Sequence, residues 1–337
     1  MKRILLNISL VFIILFNSCI DDNITPPLTG DLNAVGEMLV YFESKGEYPN
    51  TLLAPALVDA AEVFANLGNY FLIDLRDSSE FIAGHIQGAV KVSADSLYDF
   101  IKSIQTNSYP KIILISSDGQ SSAYFASLLR LAGNSNIYTM NYGMASWNPV
   151  FASVWYNAIG DHPDLTSFTD ETYPKYDFSA LPEIAFDNPE GSVESRIEER
   201  VRKVVEAGFK SVPTLPSAFN NYIICYASDK VYFAGRNFGE LGHVAGTVSY
   251  LNSPFFEFRS VNYLQTLPTN KKIYIYDYNG QLSACMSAYL RVLGYDAYSI
   301  LYGYNQLYYS RMIQISELLA YAFTSSVVND FAYVMGD

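Results

Sequence analysis

Three cysteines are the residues best suited to covalent chemistry in this chain of 337 residues: Cys19, Cys225 and Cys285. A cysteine attacks a substrate or binds a metal as the thiolate. Three thiols are too few for a disulfide scaffold or for a four-thiolate zinc site. The count does not exclude a single catalytic thiol, and the position of each cysteine in the fold decides whether one exists.

Histidine could move protons or bind a metal, and the chain has three. His85 and His243 stand at equivalent points of an internal repeat, so we expect both imidazoles to bond loop backbone. His162 lies beside Asp161 and Asp164, without paired ligands elsewhere at metal-binding spacing. We therefore predict no metal site and no cofactor.

The charge balance limits the partners of the protein. Lys and Arg total 21 against 34 Asp and Glu, which gives a formal charge of −13. A nucleic-acid binder needs a basic face for the phosphates, so we predict no nucleic-acid partner. The 50% hydrophobic content supports packed cores, and the length indicates two domains, since one core rarely grows past ~250–300 residues.

The N-terminus is typical of an exported protein. Met1-Lys2-Arg3 is followed by an apolar run, Ile4–Phe16, which is too short to span a membrane but fits the core of a signal peptide. Cys19 follows, and the stretch resembles the lipobox of bacterial lipoproteins, in which the cysteine is lipidated. The alternative is an ordinary secretory signal with an incidental cysteine.

We therefore expect residues 1–18 to be a signal peptide and residues 19–31 a polar tether that begins at lipidated Cys19. The resemblance implies a protein of the bacterial cell envelope, lipid-anchored and facing the periplasm or the exterior. The membrane would be its first partner, through the lipid anchor.

An internal repeat organises the rest of the chain. Three landmarks recur at offsets of 158, 161 and 160 residues: Gly84–Val90 as Gly242–Val248, Ser116–Gln120 as Asp277–Gln281, and Tyr142-Gly143 as Tyr302-Gly303. Repeats of this length predict two domains of one fold. We assign residues 32–160 to the first domain, 161–191 to a linker, and 192–337 to the second domain with C-terminal helices.

Short apolar runs that stop at charged or polar residues predict buried parallel strands. They cover residues 70–75, 111–115, 136–140, 222–226, 272–276 and 297–301. Helices are predicted over residues 33–45, 122–132, 193–206 and 282–293, with Gly133 and Gly294 as C-terminal caps. This alternation predicts an α/β fold, in which each domain is a mostly parallel sheet with helices on both faces.

The first repeat resembles a rhodanese-like domain over about residues 50–155. The resemblance rests on Asp74-Leu75-Arg76, Glu80-Phe81, Gly84-His85-Ile86 with Gly88-Ala89, and Gly143 with Trp147. The second repeat resembles the family more weakly, over about residues 210–310, and has Cys225 in the place of Asp74. The resemblance implies a tandem rhodanese-like protein.

The family resemblance implies sulfur transfer through a loop cysteine that holds sulfur as a persulfide. Backbone N–H groups and a helix N-terminus stabilise the anion there. Counting back three residues from Gly119 and Gly280 puts Ser116 and Asp277 at the cysteine position, while Ser121 and Leu282 stand where the family has arginine. We expect the Asp277 carboxylate to fill its own loop as an N-cap.

Both loops are therefore expected to be degenerate and without sulfurtransferase activity, so no catalytic residue is predicted. Their residues are Ser116, Ser117, Asp118, Gly119, Gln120, Ser121 and Ser122 in the first repeat and Asp277, Tyr278, Asn279, Gly280, Gln281, Leu282 and Ser283 in the second. The first loop could hold a small ligand with its hydroxyls, or it could only satisfy its own backbone.

Two functions follow from this interpretation. The first is an inactive binding or scaffold module for an unknown protein or small-molecule partner. The alternative is an enzyme of altered chemistry, either a hydrolase that uses Ser116 or a sulfurtransferase that uses Cys285. We expect Cys225 and Cys285 to pack as core residues, and a disulfide between them stays open.

Three local predictions complete the sequence analysis. Asp74 and Arg76 should pair with each other. Glu198 with Arg202, and Glu199 with Lys203, are spaced for i,i+4 ion pairs on a solvated helix. Residues 305–331 should form one or two helices on the second domain, and the tyrosines between 295 and 309 are either an exposed recognition surface or core.

Overall fold

The computed structural model describes residues 33–46, 54–162, 168–218, 220–233, 242–252 and 257–336. The predicted signal peptide, Cys19 and the tether lie outside these residues. Within them, no helix has both the length and the apolar character needed to cross a membrane.

Two five-stranded parallel sheets form the framework. The first contains β1 to β5, in the spatial order β1-β5-β4-β2-β3. Its strands are Leu57–Val58, Phe71–Asp74, Val90–Lys91, Ile112–Ile115 and Ile137–Met140. A short strand, β6 (Phe168–Thr169), then leads towards the second half of the chain.

The second sheet repeats this topology. Its strands are β7 (Ser211–Val212), β8 (Tyr222–Cys225), β10 (Val248–Ser249), β11 (Ile273–Tyr276) and β12 (Ala297–Ile300), in the order β7-β12-β11-β8-β10. This is the order of the first sheet, strand for strand. The remaining strand, β9 (His243–Val244), pairs antiparallel with β6.

The thirteen α-helices of the described residues alternate with the strands. They are α1 (Ala34–Ser44), α2 (Ala60–Ala65), α3 (Ser78–Ala83), α4 (Leu97–Ser103), α5 (Gln120–Leu131), α6 (Ser153–Tyr156), α7 (Val193–Glu206), α8 (Asp229–Tyr232), α9 (Val261–Leu264), α10 (Gln281–Val292), α11 (Tyr304–Leu307), α12 (Tyr309–Met312) and α13 (Ser316–Leu319). The predicted α/β fold, with parallel sheets flanked by helices, is confirmed.

Strand positions follow the apolar runs closely. All six predicted strands are confirmed to within one residue at either end, and all four residues of β4 and of β11 are buried. The four predicted helices are confirmed to within two residues, and Gly133 and Gly294 have the positive φ of a helix C-terminus. The two-residue strands were not predicted, because so short a segment carries no periodic pattern.

Helices α5 and α10 pack against each other between the two sheets. Nearly every residue of both helices is buried, because each helix contacts its own sheet on one side and the other helix on the other. Ser127 Oγ of α5 donates to the Cys285 carbonyl of α10 at 3.3 Å. The centre of the molecule is therefore an interface between two halves. The first half carries the first sheet and the second half carries the second sheet.

Helix α7 joins the halves as well, since it packs on α1, α4 and α5 in addition to α10. The predicted pair of Glu199 with Lys203 is confirmed at 2.8 Å. The prediction that Glu198 pairs with Arg202 is wrong: Glu198 pairs with Lys102 and Arg202 with Asp99, both on α4. The tertiary fold brings α4 within reach of these side chains, and each exposed pair contributes only ~0–1 kcal/mol.

The end of the chain returns to the first half. Helices α11 to α13 pack on the second sheet, as expected, although they are three short helices where one or two were predicted. Residues 323–334 pack against the first half instead. Phe323 stacks on Trp155 at 5.0 Å between ring centroids, and Trp147 Nε1 donates to the Ala332 carbonyl at 2.9 Å. Placing all of residues 305–331 on the second domain was therefore wrong, because the aromatic side chains at the end of this stretch pack around the two tryptophans of the first half.

Removing this terminal segment should expose Trp147. Deletion of residues 329–337 in a Trp155→Phe background should shift the tryptophan emission to longer wavelength and cost about 2 kcal/mol of stability, because Phe331 leaves its contact with the Trp147 ring. Deletion of residues 336 and 337 alone is the matched control. Unchanged emission after the longer deletion would contradict the packing of this segment on the first half.

Candidate functional site at two facing loops

The first predicted loop joins β4 to α5. Gly119 is the N-cap residue, with a φ of +85° that favours glycine. Ser116, only 3% exposed, accepts hydrogen bonds at Oγ from the N–H groups of Gly119 (2.9 Å) and Ser122 (3.4 Å). The serine hydroxyl therefore occupies the backbone cradle at the start of α5.

The second predicted loop repeats this geometry between β11 and α10. Gly280 has a φ of +82°, and Asp277 is 1% exposed. Its carboxylate accepts from the N–H groups of Gly280 (2.7 Å) and Leu282 (3.2 Å). Burial raises the pKa of the Asp277 carboxyl, and the hydrogen bonds from Ser283 and Gly280 oppose that shift. The expectation that Asp277 fills its own loop agrees with these bonds.

A Tyr-Gly pair lies against the backbone of each loop. The Met144 N–H donates to the Ser116 carbonyl at 2.9 Å, and the Tyr304 N–H donates to the Asp277 carbonyl at 2.9 Å. A Cβ on Gly143 or on Gly303 would overlap these carbonyl oxygens. The repeated Tyr-Gly landmark of the sequence is therefore explained by a backbone approach that only glycine permits.

Two glutamines connect the loops to each other. The Tyr142 N–H donates to Gln281 Oε1 at 3.0 Å, and the Tyr302 N–H donates to Gln120 Oε1 at 2.8 Å. Gln281 Nε2 also donates to Asn141 Oδ1 at 2.9 Å. Both glutamines are fully buried, so each half of the molecule supplies a hydrogen-bond acceptor to the loop region of the other. We call this reciprocal pair of contacts the glutamine exchange.

Tyrosine side chains reinforce the glutamine exchange. Tyr142 interacts with Asn279 of the opposite loop, and burial raises the pKa of Tyr142 to about 12. Tyr302 interacts with Asp118, and burial together with that carboxylate raises the Tyr302 pKa. Both tyrosines have positive φ, 58° and 62°, which costs backbone strain for a residue other than glycine. The surrounding contacts hold them there.

The remaining polar side chains of the first loop form hydrogen bonds within the loop or to neighbouring elements. Ser117 Oγ donates to Glu80 Oε1 at 2.7 Å. Asp118 accepts at its carboxylate from the Gln120 backbone N–H (2.9 Å) and from Gln120 Nε2 (2.8 Å), and burial raises its pKa. Ser122 Oγ bonds Thr139 Oγ1 at 2.6 Å on β5. Ser121 is half-buried at the mouth of an open cavity.

The second loop is more enclosed. Asn279 Oδ1 accepts from the Gln281 N–H at 3.2 Å, and Ser283 Oγ donates to the Gly280 carbonyl at 3.2 Å. The Tyr278 hydroxyl accepts from the Ser228 N–H at 2.9 Å. The side chains of this loop therefore satisfy nearby backbone groups.

The two described thiols are core residues, as predicted. Cys225 and Cys285 are free and buried, so the disulfide that the sequence left open is not formed. Burial raises the pKa of each thiol to about 12. Cys225 Sγ lies 3.5 Å from the Tyr304 hydroxyl, and Cys285 lies on α10 at the interface with α5. Neither thiol has the thiolate character that a nucleophile needs at neutral pH.

The histidines of the repeat bond backbone, as predicted. His85 Nδ1 lies 2.9 Å from the Phe81 carbonyl, and His243 Nδ1 lies 2.8 Å from the Tyr232 carbonyl. Each ring also stacks on the aromatic ring of that same residue. Around His162, Asp164 lies outside the described residues; within the described ones, no group of three or more potential metal ligands is found.

Asp74 and Arg76 pair with each other, as predicted. Arg76 Nη2 lies 2.7 Å from Asp74 Oδ2, and it also donates to the Gly84 carbonyl at 2.7 Å. Both side chains are almost completely buried. The positive charge of Arg76 is therefore compensated inside the first half.

Substitution at the second loop should test the glutamine exchange. Gly280→Ala places a Cβ on Gln120 Oε1, whereas Gly88, with nearly the same φ, has open space around its Cβ position. Both substitutions cost about 1 kcal/mol of backbone strain. We expect Gly280→Ala to lose about 1–3 kcal/mol more than Gly88→Ala in urea unfolding, from overpacking. Equal losses would contradict the contact between the loops.

Thiol labelling should report the burial of the two cysteines. In a Cys19→Ser variant, native Cys225 and Cys285 should resist iodoacetamide at about pH 8, because little thiolate forms and the side chains are covered. Both should react after unfolding, as mass spectrometry would detect. Rapid labelling of either thiol in the native protein would contradict its assignment to the core.

Comparisons with known proteins agree with the first half of the fold. The Rhodanese-like domain family model matches residues 59–149. A thiosulfate sulfurtransferase GlpE of Tolumonas auensis is 30% identical over 94 residues, which cover 28% of this chain and 87% of the relative. GlpE of Pseudomonas entomophila is 30% identical over 80 residues, covering 24% of this chain and 72% of the relative.

Solved structures are more distant. A rhodanese-related protein from Thermoplasma volcanium is 23% identical with a TM-score of 0.23, over 26% of this chain and 84% of that protein. A thiosulfate sulfurtransferase from Pseudomonas aeruginosa is 14% identical with a TM-score of 0.28, over 79% of this chain and 45% of that protein. On the match of the family model and the near-complete coverage of the Tolumonas relative, the chain belongs, through residues 59–149, to the rhodanese-like family.

Proposed function

We propose that the protein is a membrane-tethered, catalytically inactive tandem rhodanese-like protein that acts as a binding or scaffold module. The observation that carries the proposal is the state of the two loops. In each, oxygen atoms of the chain itself already accept the backbone N–H groups that a bound anion would use.

Ser116 is the residue where sulfur transfer would have to begin in the first half. A serine hydroxyl has no stable equivalent of a persulfide, so this position cannot hold sulfur between two half-reactions. In the second half, the Asp277 carboxylate fills the loop and would repel a second anion. Loss of the nucleophile at both positions supports an inactive protein.

The other thiols offer no substitute. Cys225 and Cys285 are buried, and their pKa values of about 12 keep them protonated at neutral pH. Cys285 also lies on α10 beyond its first turn, away from the N–H groups of the loop. This argues against the alternative of a sulfurtransferase that uses Cys285.

The tandem part of the proposal is supported by the second sheet. It has the strand order of the first, and its loop after β11 has the backbone geometry of the loop after β4. The tethering part is supported by the sequence alone, through the apolar run at residues 4–16 and Cys19 after it. A lipid anchor would keep both halves at the surface of a membrane in the cell envelope.

A binding role does not rest on the C-terminal tyrosines. Tyr295, Tyr304 and Tyr308 are buried, and Tyr298, Tyr302 and Tyr309 are half-buried. These side chains form the core and the contact between the halves. A recognition surface must therefore lie elsewhere, and the mouth of the first loop remains the best candidate.

Sulfur transfer is the direct test of inactivity. With thiosulfate and cyanide, the full chain should form no thiocyanate above the rate without protein. A rhodanese with a cysteine in its loop is the positive control. Thiocyanate formation by the full chain would overturn the proposal. Turnover that survives the double substitution Cys225→Ser and Cys285→Ser would place that chemistry at the loops, and turnover lost in the double variant would place it at a thiol.

The cradle of the first loop can be tested by restoring a thiol. In Ser116→Cys, the N–H groups of Gly119 and Ser122 should stabilise a thiolate and lower the thiol pKa below the ~8.5 of free cysteine. Ser44→Cys, at the exposed C-terminal end of α1, is the matched control and should stay near or above that value. An unshifted pKa at position 116 would show that the loop no longer stabilises an anion.

A further inference from the structure

An open cavity of about 290 Å³ lies at the mouth of the first loop. Its lining comes from both halves of the chain. Ser116, Ser117 and Ser121 line it from the first half, and Phe209 and Leu301 line it from the second. A complete cavity therefore requires the two halves to be docked as they are, whereas the second loop is closed by its own side chains.

One side of the cavity is apolar. Phe209 and Leu301 are half-buried there, and the Phe209 ring packs against Tyr124 of α5 with 5.1 Å between the centroids. The packing on a core residue fixes the ring in place. A ligand with a small apolar body can therefore lie against a preformed surface.

The polar side is negatively charged. Asp77 and Glu80 are exposed at the mouth, and Asp118 lies deeper in the loop. Arg76 is the cation among the described lining residues, and its guanidinium already bonds the buried Asp74 and the Gly84 carbonyl. The carboxylates therefore make the electrostatic potential in the cavity negative. At longer range, the net charge of −13 attracts cations and repels anions.

We propose that this cavity binds a small organic amine, with the ammonium group at Asp77 and Glu80 and the apolar body against Phe209 and Leu301. The inference rests on the proposed function, since a loop that carried sulfur would need this space for an anionic donor. The proposed ligand is a cation, whereas a loop that carried sulfur would bind an anion. The hydroxyls of Ser117 and Ser121 supply additional acceptors for the ammonium group.

Three probes of nearly equal shape separate charge from apolar contact: benzylamine, benzyl alcohol and benzoate. Ligand-observed NMR titration of the full chain should give a dissociation constant on the order of 1 mM for benzylamine, as expected for a ligand of so few atoms. Benzyl alcohol should bind several-fold more weakly, and benzoate at least tenfold more weakly. Equal binding of all three probes, stronger binding of benzoate, or no binding of benzylamine would overturn the proposal.

Matched variants locate the amine. The double substitution Asp77→Asn and Glu80→Gln keeps shape and hydrogen-bonding atoms, and it should weaken benzylamine about tenfold while leaving benzyl alcohol unchanged. Glu43→Gln with Glu206→Gln removes the same charge at exposed positions outside the cavity lining, and it should change the benzylamine affinity less than twofold. Equal weakening by both double variants would overturn the site, because only the net charge would then matter.

These outcomes are separable from those of the sulfur-transfer test. Thiocyanate formation by the wild-type chain would overturn the inactive function whatever the amine does. Failure of benzylamine to bind, in a chain that forms no thiocyanate, would overturn the amine site and leave the inactive function standing.

Discussion

The glutamine exchange is the interaction on which the centre of the molecule depends. Gln120 and Gln281 begin the two central helices, and each accepts a backbone N–H from the opposite half. A buried N–H without an acceptor costs about 1–3 kcal/mol. The two halves must therefore dock in one orientation, because the N–H groups of Tyr142 and Tyr302 bond the glutamine of the opposite half.

This docking changes what the loops do. A loop that binds an anion must leave its N–H groups unpaired until the ligand arrives, whereas Ser116 and Asp277 accept such N–H groups in these loops. The same geometry thereby becomes a structural element that terminates a strand, starts a helix and presents a glutamine to the other half. A fold does not by itself carry a function, so the proposed loss of sulfur transfer is compatible with the rhodanese-like fold of the first half.

Much of the fold could be predicted from the sequence. Apolar runs indicated the long strands, glycines indicated the helix ends, and the recurrence of Ser116–Gln120 as Asp277–Gln281 indicated the two loops, because each signal is local. The contacts of Gln120 and Gln281 could not be predicted, since the acceptor and donor are more than 130 residues apart and amide side chains carry no pattern. The sequence does place the two glutamines at equivalent positions of the two repeats, which indicates a shared role without naming their partners. The ion pairs of Glu198 and Arg202 were missed for the same reason, since their partners lie on another helix.

The C-terminal segment has a consequence for how the protein is made. Trp147 donates to Ala332, a residue 185 positions later, and His85 pairs with Val334. Because the chain is synthesised from its N-terminus, Ala332 and Val334 are made after the whole of the first half, and Trp147 has no contact with this segment until then. Contacts of such long sequence separation slow folding and leave apolar surface open to aggregation. Residues 323–334 therefore supply contacts to the first half that no earlier part of the chain can replace during synthesis.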